Sequence, residues 1–153
     1  TIGQARYEPS SSLFKRWIPK SEPRVNFEEA RTSAYWAIGW IFEGSKDVAL
    51  AQQLKARFTD VNPVTGMPES EMVRYAAGIA LGRIGATEVA PDVRLFALMK
   101  KAGEPELAAA WSLERLTGEV VSPPAPAAVS GVHWNLLPIG SRRKSATTEQ
   151  QSR

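Results

Sequence analysis

The sequence predicts an all-α protein in which a short right-handed stack of roughly two and a half helical hairpins occupies residues 26–118. Three observations support this prediction. A helical pattern recurs in this zone, glycines stand where its helices would end, and prolines crowd both flanks. Because proline removes an amide donor and restricts φ, we expect an extended N-terminal arm over residues 1–25 and a Pro-rich linker and irregular tail over residues 119–153.

The recurring pattern emerges when the middle of the chain is compared with itself. Residues 29–41 align with residues 72–84 at an offset of 43, and residues 105–116 form a weaker third copy at a further offset of 32. The matched pairs are Arg31 with Arg74, Ala34 with Ala77, Ala37 with Ala80, Ile38 with Leu81, Gly39 with Gly82, Leu81 with Leu113, and Arg83 with Arg115. Small residues share one face of each copy, so neighbouring helices are expected to approach closely there, above Gly39 and Gly82.

A second helix is predicted after each of the first two copies. Ser45 and Thr87 are the candidate N-cap residues of these helices, because a side-chain oxygen there accepts from a free backbone amide. Gly44 and Gly85 fit the position that ends the preceding helix, and Pro91 fits a first helical turn. The predicted order is helix, glycine turn, helix and loop, with each copy paired to the helix that follows it.

The segment V-R-Y-A-A-G-I-A-L-G-R-I-G at residues 73–85 resembles a HEAT-like repeat of the kind found in bilin-lyase-type and related bacterial repeat proteins. Residues 110–118 look like a degenerate copy of the same helix. The resemblance extends over residues 26–118 and implies a partner-binding α-solenoid without implying one activity. The resemblance also implies an alternative function, that of an accessory or lyase-like chaperone factor for a cofactor-bearing protein.

The composition excludes several kinds of site. The 153 residues include no cysteine and one histidine, His133, so disulfides, thiolate chemistry and multi-histidine metal centres are excluded within this chain. HEAT-like iron enzymes use repeated His-Glu pairs, which one histidine cannot supply. No phosphate loop, nucleophile elbow or paired-carboxylate motif occurs. We therefore predict a non-enzyme with no catalytic, metal-binding or cofactor-binding residues.

The net charge of +3 is unevenly distributed. Residues 26–118 carry a net charge of −2, whereas the two flanks together carry +5. A nucleic-acid-binding domain usually presents its basic residues on the folded face that docks. Nucleic acid is therefore an unlikely partner from the sequence, although a nucleic-acid-binding HEAT-like module stays an alternative.

Seven large apolar residues are the predicted partner-binding residues. Aromatic side chains dominate interface hot spots, and an apolar island in a polar tail has no role unless it docks. The residues are Phe14 and Trp17 in the arm, Trp36 and Trp40 in the first helix, and Trp134, Leu136 and Leu137 in the tail. The competing interpretation is packing: the first helix is buried on most sides, and the arm covers the apolar end of the stack.

Arg31 and Arg74 stand at the same position of successive copies, which favours a structural role. We expect each guanidinium group to pair with a carboxylate, Glu71 or Asp92, or with a carbonyl at a helix end.

The sequence thus predicts a protein–protein interaction scaffold, a small structural subunit of a hetero-complex. Contact of the basic, aromatic arm with a membrane surface is a further alternative. The longest apolar stretch, residues 34–42, is about half the length that spans a bilayer. The compartment stays open: the cytoplasm or, after removal of a targeting segment, an organelle or the periplasm.

Overall fold

A computed structural model describes residues 5–19, 27–61, 68–99 and 103–122. Its helices are α1 (Ser11–Lys15), α2 (Glu28–Ile41), α3 (Val48–Phe58), α4 (Glu71–Ile84), α5 (Ala90–Ala97) and α6 (Glu104–Thr117). Short 3-10 turns, Glu8–Ser10 and Thr87–Val89, precede α1 and α5. The described residues contain no β-strand, so the prediction of an all-α fold is confirmed.

The helices form two layers. The three repeat-equivalent helices α2, α4 and α6 pack side by side, with α4 in the middle, and α3 and α5 lie on one side of them. The structure corrects the predicted pairing within the hairpins, because α4 packs closely against α3 and α6 against α5. Each repeat helix therefore pairs with the helix that precedes it in the chain.

The main core lies between the two layers. Val73, Leu81 and Ile84 of α4 are fully buried there, together with Phe58 of α3. Helices α2, α5 and α6 also contribute buried residues. The rings of Phe58 and Phe96 meet edge to face with their centroids 4.8 Å apart, which joins α3 to α5. Tyr75 and Ile79 of α4 lie on the opposite side of the helix, where the candidate site is found.

Glycine sets the distance between the repeat-equivalent helices. A Cβ atom on Gly39 would lie 2.9 Å from the Cα atom of Ala80, and one on Gly82 would lie 2.7 Å from the Ser112 hydroxyl oxygen. The predicted close approach at both glycines is therefore confirmed. The close packing of the helices offsets the lower helix propensity of glycine, which costs about 1 kcal/mol relative to alanine.

Both predicted N-caps are wrong. Asp47, not Ser45, caps α3 by accepting from the Leu50 amide at 3.0 Å. Thr87 opens a 3-10 turn and its side chain caps nothing in α5. Ser45 is separated from α3 by Lys46, which has a positive φ, and by Asp47, whereas Thr87 is separated from α5 by a 3-10 turn.

The cap of α4 was not predicted: Ser70 accepts from the Val73 amide at 3.3 Å. Pro91 lies in the first turn of α5, as predicted. Gly85 ends α4 with φ +77°, a left-handed conformation that suits glycine, so that prediction is also confirmed.

The turn between α2 and α3 docks on the end of α4. The Gly44 amide donates to the Arg83 carbonyl at 2.8 Å, and the Lys46 amide donates to the Ile84 carbonyl at 2.9 Å. These carbonyls have no partner within their own helix, so the turn supplies bonds that α4 lacks. Successive repeats are thus joined through the backbone as well as through side chains.

The N-terminal arm packs on α2. Ile18 is buried in the main core, and its carbonyl accepts from the Tyr35 hydroxyl at 3.2 Å. Although the prediction was an extended arm, residues 8–15 form two short helical segments. None of the helices within the described ranges is long and apolar enough to cross a membrane.

Candidate functional site

Three tryptophans lie over the side of α4 that faces away from α3 and α5. Tyr75 and Ile79 of α4 form a second apolar cluster there, and Trp36 of α2 and Trp111 of α6 pack against it. Trp40 follows Trp36 by one helical turn. All three indoles are half-buried, whereas Ile79 beneath them is 1 % exposed. We call Trp36, Trp40 and Trp111 the aromatic roof.

The guanidinium group of Arg83 lies inside the roof. Its carbon lies 3.5 Å from the ring centroid of Trp40, 5.4 Å from that of Trp36 and 5.9 Å from that of Trp111. Tryptophan is the best aromatic partner of a cation, because its π face carries the most negative quadrupole. Burial lowers the pKa of Arg83, and the carboxylate of Glu43 opposes that shift. The group keeps its charge at neutral pH because arginine starts from a very high pKa.

Three arginines share one carboxylate beside the roof. Glu43, just after α2, lies 2.5 Å from Arg6 of the arm, 3.7 Å from Arg83 and 3.6 Å from Arg115 of α6, measured from carboxylate oxygen to guanidinium nitrogen. We call these three arginines and Glu43 the arginine cluster. Arg115 also lies 5.1 Å from the ring centroid of Trp111, so the cluster and the roof form one continuous surface.

Two buried nitrogens in this surface have no hydrogen-bond partner among the described residues: Nε of Arg83 and Nε1 of Trp40. A buried polar group without a partner costs free energy. The Tyr75 hydroxyl beneath the roof is a third such group, and burial raises the pKa of that phenol. Buried nitrogens of Arg31 and Arg74 also lack a partner among the described residues, so such atoms occur on both sides of α4.

The predicted partner-binding residues fall into three places. Trp36 and Trp40 come together in the roof. Phe14 and Trp17 instead pack against the edge of the main core, which agrees with an arm that covers the stack. The predicted tail residues Trp134, Leu136 and Leu137 lie outside the described residues.

Sequence reasoning did not assign Trp111, Arg83, Arg115 or Glu43 to a site. The signal was present in the repeat alignment. At offsets of 43 and 32, Trp36, Ile79 and Trp111 occupy one repeat position, and Trp40, Arg83 and Arg115 occupy another. Both sets of equivalent positions contribute to the surface, which is visible only when the three helices are compared with one another.

Arg31 and Arg74 have the predicted structural role: Arg31 pairs with a carboxylate and Arg74 with a carbonyl at a helix end. Arg31 pairs with the buried carboxylate of Glu69 and also donates to the Tyr35 hydroxyl. Arg74 donates from Nε to the carbonyl of Phe58 at the end of α3, at 2.8 Å. Asp92 pairs with Lys55 instead. Both arginines therefore tie a repeat helix to its neighbours.

Within the part of the chain that the structure describes, no three His, Cys, Asp or Glu side chains are grouped so that they could hold a metal ion. The surface formed by the roof and the cluster offers flat aromatic area and guanidinium donors. That chemistry suits noncovalent recognition.

A scan of family models, a search of curated proteins and a search of solved structures each gave no match to this chain.

Proposed function

We propose that this chain is a non-catalytic, HEAT-like scaffold that serves as a small structural subunit of a larger protein assembly. Its docking surface for another protein is the aromatic roof. The observation that carries the proposal is the grouping of three half-buried tryptophans from two helices on one side of the molecule.

The composition of the roof supports protein binding. Tryptophan and arginine are the residues most enriched among those that dominate interface energies, and they act best when clustered. The roof already holds its tryptophans in place through Arg83 and the second apolar cluster. Binding would therefore order few side chains, which reduces the entropic cost of association.

Site-specific crosslinking tests the proposal. The photoreactive amino acid p-benzoylphenylalanine replaces Trp36 or Trp111 in turn, because an aromatic replacement preserves much of the packing. A matched control places it at Gln53, an exposed position of α3. Irradiation in native extract is expected to give one discrete adduct, the same partner at both roof positions, identified by mass spectrometry.

The control position sets the standard for specificity. Gln53 is expected to give no adduct with that partner, because α3 lies on the other side of α4. Adducts of the same pattern and yield at all three positions, or none at the roof, would refute the proposal. Loss of the roof adduct in an otherwise folded Trp40→Ala variant would locate the contact further.

A further inference from the structure

The arginine cluster has more positive charge than its carboxylate can balance. Arg6, Arg83 and Arg115 surround Glu43, and a fourth cation, the ammonium group of Lys15, lies 4.4 Å from the ring centroid of the neighbouring Phe42. We propose that this surface binds an acidic peptide segment of a partner protein. The inference rests on the proposed scaffold function and gives the chemistry of the partner.

The positive charge comes from two distant parts of the chain. The sequence carries its basic excess in the flanks, outside residues 26–118. Packing of the arm brings Arg6 and Lys15 to the C-terminal end of α2, beside Arg83 of α4 and Arg115 of α6. A stack that is slightly acidic overall thereby has one basic end.

The free carbonyls at the helix ends engage only part of this positive charge. Helix C-termini attract cations because their last carbonyls lack partners. At the end of α4, however, backbone amides of Gly44 and Lys46 already donate to the carbonyls of Arg83 and Ile84. Arg115 donates to the Gly82 carbonyl through Nε at 3.3 Å. Its terminal nitrogens lie near Glu43 and remain accessible, since the side chain is 45 % exposed.

The exposed parts of the cluster are suited to carboxylates. Arg6 and Arg115 are about half exposed on either side of Glu43, at 58 % and 45 % of their side chains. A guanidinium group binds a carboxylate through two parallel hydrogen bonds, and each of these two arginines has donors that face solvent. Trp111 adjoins Arg115, so an apolar side chain between acidic residues would have aromatic surface to contact.

A protein segment fits this surface better than a nucleic acid does. The central carboxylate of Glu43 would repel a continuous row of phosphates, and a phosphate backbone needs a longer basic track. A peptide can place its carboxylates on the two flanking arginines and leave a neutral residue above Glu43. The preferred ligand is therefore a peptide in which acidic residues alternate with apolar ones.

Fluorescence anisotropy with the full chain tests this inference. The probe is a fluorescein-labelled dodecapeptide that repeats Glu-Glu-Leu, and the comparison ligands are the Lys-Lys-Leu peptide and a short single-stranded DNA. The acidic probe is expected to bind most tightly at physiological salt. The double variant Arg6→Gln/Arg115→Gln is expected to bind it about tenfold more weakly.

Glu43→Gln separates recognition from folding. It removes the negative charge that lies between the two flanking arginines and repels the probe, so it is expected to lower the thermal midpoint and yet bind the acidic probe about threefold more tightly. The matched control Arg94→Gln, on α5 and paired with Glu119, is expected to leave probe affinity unchanged. A purely structural cluster would give weaker binding in Glu43→Gln, in step with its lower stability.

Each outcome decides the inference. Tighter binding of the DNA than of the acidic peptide, equal binding of both peptides, or weaker binding by Glu43→Gln would overturn it. If crosslinking at Trp36 and Trp111 still yields one partner in that case, the scaffold function stands and only the acidic chemistry is wrong. If crosslinking also fails, the proposed function fails with it.

Discussion

The two sides of α4 are both buried, but by different kinds of contact. On the inner side, Val73, Leu81 and Ile84 meet aliphatic and aromatic side chains of the main core. On the outer side, Tyr75 and Ile79 are covered by the aromatic roof and by a buried arginine. The inner contacts join two layers of helices, whereas the outer contacts join only the members of one layer.

We propose that this difference separates the residues that stabilise the fold from those that bind a partner. The inner side excludes water with close-packed apolar groups, so its contribution to the free energy of folding scales with the area buried. The outer side keeps three half-buried indoles and several guanidinium groups that contact them. A surface of this kind contributes less to folding, and we propose that it binds the partner protein. The inner side should therefore tolerate truncation poorly and the outer side better.

The largest expected effect is truncation of the inner side. Phe58 is completely buried and meets Phe96 edge to face, so Phe58→Ala should lower the free energy of unfolding by about 3–5 kcal/mol. Trp36→Ala on the outer side should cost about 2 kcal/mol, because the indole is half-buried. Urea denaturation measures both, with Leu95→Ala, at a side chain 65 % exposed, as the near-neutral control. Equal losses for Phe58→Ala and Trp36→Ala would erase the distinction between the sides.

A methyl group at the α4–α6 contact should have the next largest effect. The new Cβ atom in Gly82→Ala would meet the Ser112 hydroxyl and the Trp111 ring, and α6 would have to move. We expect a loss of about 1–3 kcal/mol, although alanine favours helix. The matched control is Ala56→Gly on the exposed side of α3, which should cost about 1 kcal/mol through propensity alone. A Gly82→Ala variant that is more stable than wild type would show that the helices are not in close contact.

Removing the hydroxyl group of one buried tyrosine on each side should have different effects on stability. Tyr35, on the inner side of the stack, donates to the Ile18 carbonyl, so Tyr35→Phe should cost about 1 kcal/mol. Tyr75, on the outer side, has no partner for its hydroxyl among the described residues, so Tyr75→Phe should be neutral or stabilising by up to about 1 kcal/mol. Thermal and urea unfolding give both values. Equal destabilisation by the two substitutions would mean that the Tyr75 hydroxyl is bonded after all.

The smallest expected effect is the alkaline response of the same two residues. Burial raises the pKa of both phenols above their unfolded value of about 10. The folded state then favours the neutral form, so this contribution is complete below pH 10 and is lost as pH rises through and above that value. Between pH 8 and pH 10 each tyrosine should account for less than about 1 kcal/mol of lost stability. The double variant Tyr35→Phe/Tyr75→Phe should show a correspondingly flatter decline in urea midpoint than wild type.

Local patterns along the chain predicted much of the fold. The three repeat-equivalent helices begin and end within a few residues of the aligned copies, because apolar and small residues recur at helical spacing. The positions of Gly39, Gly82 and Gly85 were predicted correctly, since each reflects a steric requirement at a single residue. The N-caps were not, because Ser45 and Asp47 both suit that role locally and only the course of the turn chooses between them.

The candidate site was predicted in part. Trp36 and Trp40 were singled out because aromatic residues crowd one helix. Arg83 and Trp111 were not, because nothing in their own helices distinguishes them. Only the folded structure brings Arg83 into contact with Trp40 and Trp111. Glu43 lies just beyond a helix end, where the sequence offers no hint that three arginines converge.

By itself, the sequence determined which segments of residues 26–118 are helical and where those helices approach closely. Helical periodicity and the absence of a side chain at Gly39 and Gly82 are local properties, so they can be read one segment at a time. Only the tertiary structure decided that α4 pairs with α3 and that Arg6 meets Arg115 across Glu43. Those contacts depend on how separate helices and the arm stack in space, and residues far apart in the chain carry no local record of that stacking.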